Sequence, residues 1–108
     1  MAIRTSAPTI SDIWKGEIRL AAVNALPNCH LRLRYRDGVE YSLDLSDFVG
    51  SGNLANDLLD ETLFSQVVLG EGGDYIEWPN GIDIGSDTLR WDAELQLRGL
   101  TRADVSEH

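Results

Sequence analysis

The sequence predicts an α+β fold: a small antiparallel sheet of two hairpins plus an extra strand, with short helices and a C-terminal helix. Three observations predict it. Alternating polar and apolar residues flank an Asp-Gly turn between residues 30 and 45, a second pair of strand-like runs occupies residues 67–78, and apolar residues recur after Ser86. At 108 residues the chain is long enough for one core and too short for two domains.

The first hairpin is the clearest unit. Residues 30–35 and 39–45 alternate polar and apolar side chains on either side of an Arg-Asp-Gly segment. A two-residue turn would set Tyr35 opposite Glu40 and would mix the core and solvent faces along the whole ladder. A three-residue loop, with Gly38 in the left-handed conformation, avoids this mixing. It predicts the pairs Tyr35–Val39, Leu33–Tyr41 and Leu31–Leu43 on one face, and Arg34–Glu40 and His30–Asp44 on the other.

The other strands follow from turn signals. Ile18–Leu26 is a first strand that ends at the turn residues Pro27 and Asn28. The second hairpin joins residues 67–69 to residues 75–78 through a glycine-rich connection, and residues 82–84 form a short further strand.

The helices follow from capping signals. Residues 46–49 and 53–59 are expected to form short helical turns. Asp60 precedes a brief helix as its cap. Ser86 is the expected N-cap of a C-terminal helix that carries Leu89, Trp91, Leu95 and Leu97 and ends at Gly99.

The charges are distributed unevenly along the chain. The formal net charge is −9, and the segment from Asp37 to Leu89 contains twelve Asp or Glu residues and no Lys or Arg. An excess of carboxylate opposes phosphate contact, because non-specific nucleic-acid affinity comes mainly from Lys and Arg displacing counterions. We therefore expect no direct nucleic-acid binding. The acidic segment either keeps the protein in solution or docks a basic partner protein by complementary charge.

Composition also bears on location and on domain boundaries. No apolar run approaches the roughly 18 residues that span a bilayer, and residues 1–16 lack the apolar core of a signal peptide. The single cysteine, Cys29, fits a reducing compartment. We expect a cytoplasmic protein that does not enter the membrane. Residues 1–16 are predicted to be a poorly ordered lead-in, residues 17–99 a single α+β domain and residues 100–108 a polar tail.

The sequence holds no pattern typical of catalysis or metal binding. The G-x-S-x-G, H-E-x-x-H and P-loop patterns do not occur. Cys29 and His30 are adjacent, so a strand would point them to opposite faces, and the aspartates do not form a calcium loop. His30 is expected to pair with Asp44 across the hairpin rather than to act as a base. We expect no enzyme, no catalytic residue, no metal and no cofactor.

The EWPNGID stretch at residues 77–83 has both a structural and a functional interpretation. Trp78 can fill the core while Pro79 fixes φ and Asn80-Gly81 permit a turn with positive φ, which would make the stretch a corner. The functional alternative is a small polar pocket beside an aromatic wall, lined by Glu77, Trp78, Asn80 and Asp83. The structural turn residues of the two hairpins are predicted to be Asp37, Gly38, Pro79 and Gly81.

Three segments together resemble a known family. YRDGVEYSLDLSDF, LLDETLFSQV and GGDYIEWPNGIDIGSDTL, in this order, resemble the bacterial family called domain of unknown function 2442, over roughly residues 16–91. The resemblance implies an α+β fold in bacterial cytoplasmic proteins of no assigned activity. Some relatives carry a following helix-turn-helix domain and others are encoded beside small toxin-like proteins. Seventeen residues follow Trp91, too few for such a DNA-binding domain, so DNA recognition is not expected here.

These observations leave several function hypotheses. The first is a non-enzymatic interaction or regulatory module, antitoxin-like in the sense of the resemblance, that acts through a protein–protein surface on a small basic partner. Its sheet edges make a homodimer a further expectation. The second is a small-ligand-binding domain with its pocket beside Trp78. A third possibility is that the stripe His30, Arg32 and Arg34 recognises an acidic partner, although Glu40 and Asp44 would neutralise much of its charge.

Overall fold

The computed structural model describes residues 17–50 and 53–100 and has the predicted α+β architecture. Six strands form two antiparallel sheets of three, where the sequence pointed to one small sheet. The first sheet contains β1 (Leu20–Leu26), β2 (His30–Tyr35) and β3 (Glu40–Asp44), and the second contains β4 (Val68–Leu69), β5 (Tyr75–Glu77) and β6 (Asp83–Gly85). Short helical turns separate β3 from β4, and β4 pairs with β5 rather than with a strand of the first sheet.

The first hairpin has the predicted register. Leu33 lies opposite Tyr41 in the ladder of β2 and β3. The three-residue loop is also confirmed: the amide of Tyr35 donates to the carbonyl of Val39 at 2.9 Å, and Gly38 has a φ of +89°. The side chain of Val39 is 39% exposed, contrary to the prediction of a core-facing residue, because Val39 belongs to the loop bulge and precedes the regular strand.

In the described residues, five helical segments connect and close the sheets. They are α1 (Ser46–Val49), a 3₁₀ helix (Asn53–Leu59), α2 (Glu61–Phe64), a second 3₁₀ helix (Glu71–Gly73) and α3 (Ser86–Leu97). Asp60 caps α2 as predicted, accepting a hydrogen bond from the amide of Thr62 at 2.9 Å. The N-cap of α3 is Gly85, so Ser86 is its first residue rather than its cap.

Helix α3 ends as the sequence predicts. The amide of Gly99 donates to the carbonyl of Gln96 at 3.1 Å, the amide of Leu100 donates to the carbonyl of Leu95 at 2.9 Å, and Gly99 has a φ of +69°. This is the Schellman pattern of a helix C-terminus, which satisfies carbonyl groups that the helix itself leaves unpaired.

The core lies between the two sheets and α3, which packs against β3 on one side and against β5 and β6 on the other. Its apolar side chains include Leu31, Leu33, Leu43, Val49, Leu58, Ile76 and Leu89, each at most 1% exposed. Burying one such side chain contributes roughly 1.5–3 kcal/mol to folding. Leu97 was expected on the apolar face of α3, yet it is 73% exposed, because the helix extends past the end of the core.

The lead-in at residues 1–16 and residues 101–108 of the predicted tail fall outside the described residues. Among the helices of the described part, none is long and apolar enough to cross a membrane.

Candidate functional site

The EWPNGID stretch forms the loop between β5 and β6. The amide of Trp78 donates to the carbonyl of Ile82 at 2.9 Å, and the amide of Gly81 donates to the carbonyl of Trp78 at 3.1 Å. Gly81 has a φ of +94°, and the side chain of Asn80 accepts a hydrogen bond from the amide of Ile82 at 3.2 Å. Pro79 occupies the first loop position, where its fixed φ suits the turn.

This loop repeats the geometry of the Arg-Asp-Gly loop of the first hairpin. There, Asp37 accepts a hydrogen bond from the amide of Val39 at 3.1 Å, just as Asn80 does from Ile82. In both loops a side-chain oxygen fixes the turn and the following glycine takes the left-handed conformation. The predicted turn residues thus lie in two loops of one type, in which Gly38 corresponds to Gly81, Asp37 corresponds to Asn80 and Pro79 corresponds to Arg36.

Trp78 is part of the core. Its side chain is 2% exposed, its indole N–H donates to the carbonyl of Phe64 at 2.9 Å, and its ring lies 5.8 Å from the ring of Phe64 between centroids. A ligand could stack on this ring only by displacing core side chains. These contacts favour the corner interpretation of the stretch.

The other members of the hypothetical pocket lie elsewhere. Glu77 and Asp83 are exposed and stand directly opposite each other across β5 and β6. Glu77 precedes Trp78 in extended backbone, so its side chain points to the face away from the indole ring. The structure thus brings Glu77 and Asp83 together as a surface pair of carboxylates, separate from Trp78, and employs Asn80 in the turn.

A cluster that the sequence analysis missed joins α3 to the first sheet. Arg90 is fully buried, and its guanidinium donates to the hydroxyl of Tyr41 at 2.8 Å and to the carboxylate of Asp37 at 3.1 Å. It also donates to the backbone carbonyl of Glu17 at 3.0 Å. One sequence signal pointed to it: Arg90 is the first basic residue after Arg36, at the end of the long acidic segment.

Two tyrosines complete this cluster, which we call the Arg90 cluster (Tyr35, Asp37, Tyr41, Arg90 and Glu94). The guanidinium carbon lies 4.5 Å from the ring centroid of Tyr35 and 5.2 Å from that of Tyr41, within cation–π range. The hydroxyl of Tyr35 donates to the carbonyl of Ser86 at 2.7 Å, and the hydroxyl of Tyr41 donates to the carboxylate of Glu94.

The electrostatics of the Arg90 cluster favour a structural role. Burial, followed by the hydrogen bond to Glu94, raises the pKa of Tyr41 to about 12, and burial raises the pKa of Tyr35 further. The hydrogen bond from Arg90 holds the pKa of Asp37 below its usual range. Both hydroxyls therefore stay protonated, which makes them poor nucleophiles, and the cation is matched by carboxylate and aromatic groups.

The outer edge of β3, next to α3, presents backbone hydrogen-bonding groups that point away from β2. In β3 the backbone groups of Tyr41 and Leu43 bond to β2, so those of Glu40, Ser42 and Asp44 point outward. The side-chain amide of Gln96 covers the backbone groups of Asp44. Its oxygen accepts a hydrogen bond from the amide of Asp44 at 3.0 Å, and its nitrogen donates to the carbonyl of Asp44 at 2.8 Å.

Next to this edge lies a groove of about 320 Å³, lined by Glu40, Tyr41, Ser42, Ala93, Gln96 and Leu97. A second groove, of about 290 Å³, lies where the turn between β1 and β2 meets the 3₁₀ helix and α2, with Leu59 64% exposed beside it.

The basic stripe of β2 faces solvent. Arg32 and Arg34 are exposed, and His30 lies opposite Asp44 as predicted. The expected ion pair is not formed: Nδ1 of His30 lies 2.8 Å from the carbonyl oxygen of Asn28, and Asp44 accepts a hydrogen bond from the amide of Ser46 at 2.8 Å. In residues 17–50 and 53–100, no group of three His, Cys, Asp or Glu side chains is placed to hold a metal ion.

Comparison with known proteins adds one result. No curated protein and no solved structure matches the chain. A family model described as "Protein of unknown function (DUF2442)" matches residues 20–96, which include all six strands and all but the last residue of α3. The chain therefore belongs to this family.

Proposed function

We propose that this domain is a non-enzymatic interaction module of a bacterial regulatory system, antitoxin-like in kind, whose partner is a small basic protein. One observation carries the proposal. Of the carboxylates between Asp37 and Leu89, only Asp37 and Asp74 lie within ion-pair distance of a described cation. The others present an excess of negative charge that a basic partner would neutralise, and charge complementarity speeds association and selects partners.

The distribution of titratable groups supports the non-enzymatic part of the proposal. Tyr35, Tyr41 and Arg90 are buried, and together with Glu94 and the more exposed Asp37 they hold one another in place. A catalytic group needs contact with a substrate. The same excess of carboxylate opposes direct nucleic-acid binding. We place the module in the cytoplasm, a location that suits the free thiol of Cys29.

The ligand-binding alternative, with Glu77, Trp78, Asn80 and Asp83 as its pocket, has weaker support. It requires an accessible aromatic wall, whereas the side chain of Trp78 is 2% exposed and its N–H is bonded to the backbone.

Self-association of the module is a further part of the proposal, and β1 is the edge that suits it. The strand reads LAAVNAL and carries no charge, so a second copy could pair with it without repulsion. Its outward backbone groups at Val23 and Ala25 have no hydrogen-bond partner among the described residues. Sedimentation velocity at increasing protein concentration tests this part, and a 12.0 kDa monomer throughout would exclude it.

Affinity capture from the source cell tests the main proposal. The tagged domain is used as bait at low and at high salt, because complementary surface charge is screened by salt. The expected partner is small and basic, elutes at high salt and rebinds the purified domain. A second bait carries Glu77→Gln and Asp83→Asn and therefore has two fewer negative charges. It serves as the control for nonspecific electrostatic attraction. If no basic protein binds specifically under several growth conditions, the proposal is wrong.

A further inference from the structure

We propose that the partner binds as an added β-strand along the outer edge of β3, through an extended segment in which basic and apolar residues alternate. This inference rests on the proposed interaction function and specifies its surface and the chemistry of the segment. The N–H and C=O groups of Glu40 and Ser42 point away from β2 and have no hydrogen-bond partner in the part of the chain that the structure describes. Such an edge is a template for one more strand.

The groove beside the edge accounts for the apolar positions. In an added strand, the residues beside Glu40 and Ser42 face the same side as these two side chains, and the residue between them faces the other side. That other side is the groove between β3 and α3, which is lined by the largely buried Tyr41 and Ala93 and by the exposed Leu97. Leu97 is 73% exposed, so an apolar side chain in the groove would cover it.

Charge accounts for the basic positions and for the choice of partner. The side chain of Glu40 is exposed, and a residue opposite it should be Lys or Arg, since opposite charges across a ladder are favourable. A second copy fits poorly. If two β3 strands paired antiparallel about Ser42, Glu40 of each would face Asp44 of the other, and like charges directly opposite are destabilising.

Gln96 limits the length of the added strand. Its amide already occupies the N–H and C=O of Asp44, as a neighbouring strand would. The free part of the edge therefore runs from Glu40 to Ser42. We expect a short recognition segment with one basic residue beside Glu40, one apolar residue in the groove and one small or polar residue beside Ser42.

The test uses NMR of the full ¹⁵N-labelled chain and synthetic peptides as probes. The main probe is an acetylated, amidated octapeptide of alternating Lys and Val. The controls are a peptide of the same composition with all Lys before all Val, and an alternating Glu and Val peptide. We expect the alternating Lys peptide to shift the amide signals of Glu40 and Ser42 and to slow their hydrogen exchange. Neither control peptide should do so.

Two variants of Ser42 distinguish the contribution of its backbone N–H from that of its side chain. Ser42→Pro removes an N–H that points away from β2, so the ladder with β2 is retained, and proline is tolerated at such edge positions. It should weaken binding about tenfold, the loss expected for one strong hydrogen bond. Ser42→Ala keeps the N–H and should bind like the wild type. If Ser42→Pro does not fold, Glu40→Lys replaces it, because reversing this exposed charge should also weaken the Lys peptide.

The outcomes distinguish this inference from the proposed function. Shifts spread over the whole acidic surface, or equal binding by wild type, Ser42→Pro and Glu40→Lys, would overturn strand addition at β3. If a basic partner captured from the cell binds those two variants as tightly as wild type, the interaction function holds and the β3 site is wrong. If the peptide binds at β3 as expected but no cellular partner exists, the proposed function fails.

Discussion

The guanidinium of Arg90 lies over the ring of Tyr35, with its carbon 4.5 Å from the ring centroid, although the two residues are far apart in sequence. A buried cation is costly unless hydrogen bonds and opposite charge compensate it. Here Asp37, the hydroxyl of Tyr41 and the carbonyl of Glu17 provide that compensation. The arrangement ties the loop of the first hairpin to α3, and it makes Arg90 the residue on which the attachment of the helix depends.

Replacing Arg90 by Met should lower the free energy of unfolding by about 3 kcal/mol, because it removes the hydrogen bonds that the buried cation donates to Tyr41, Asp37 and the carbonyl of Glu17. Urea unfolding followed by circular dichroism measures the change. Arg98→Met on the same helix is the control: Arg98 is half exposed and its pair with Glu94 is 3.5 Å long, so the loss should stay below about 0.5 kcal/mol. Equal losses in the two variants would contradict the structural role of the Arg90 cluster.

Asp37 should make stability depend on acid pH. Its pKa is lowered in the folded protein by the hydrogen bond from Arg90, so its contribution is present above the unfolded-state pKa of about 3.9 and is lost as pH falls below it. Asp37→Asn keeps the acceptor for the amide of Val39 but removes the charge. Its stability should therefore fall less steeply than that of the wild type below pH 4, measured by thermal unfolding. Parallel curves for the two proteins would exclude this contribution.

Two neighbouring glycines should differ sharply on substitution by alanine. Gly72 and Gly73 both have positive φ, 68° and 76°, so an alanine at either position costs about 1 kcal/mol for its left-handed conformation. A Cβ at Gly72 would meet no atom within 3.5 Å, whereas one at Gly73 would lie 2.2 Å from the carbonyl oxygen of Leu20. Gly73→Ala should therefore cost at least about 2 kcal/mol more than Gly72→Ala in denaturant unfolding. Similar values would mean that the second 3₁₀ helix does not pack on β1.

The surface carboxylates of the second sheet predict a gain in stability. Glu77 and Asp83 face each other across β5 and β6, and like charges directly opposite destabilise a ladder. Glu77→Lys should raise the free energy of unfolding by about 0.5 kcal/mol, and Glu77→Gln should raise it by less. Added salt should shrink the difference, since the charges are exposed. A loss of stability in Glu77→Lys would show that Glu77 makes a favourable contact as a carboxylate.

The sequence predicted the local structure well and the tertiary polar contacts poorly. Alternation around Gly38 excluded the two-residue turn, which would mix polar and apolar faces, and the structure has the register of the three-residue loop. Alternation does not say which strands share a sheet, so the division into two sheets was not foreseen. Arg90 was missed because an arginine on a helix is normally exposed, and its partners at Asp37 and Tyr41 come close only in the folded chain.

The Arg90 cluster also constrains when the protein can fold during its synthesis. The bond from Arg90 to Asp37 spans 53 residues and the bond to Glu17 spans 73. The first hairpin therefore leaves the ribosome long before the cation that its tyrosines and Asp37 require. Until α3 emerges, Tyr35 and Tyr41 have no cover and β3 has no helix against it. The nascent chain is thus committed to late, cooperative folding, with its first sheet open to chaperones or to a binding partner in the interval.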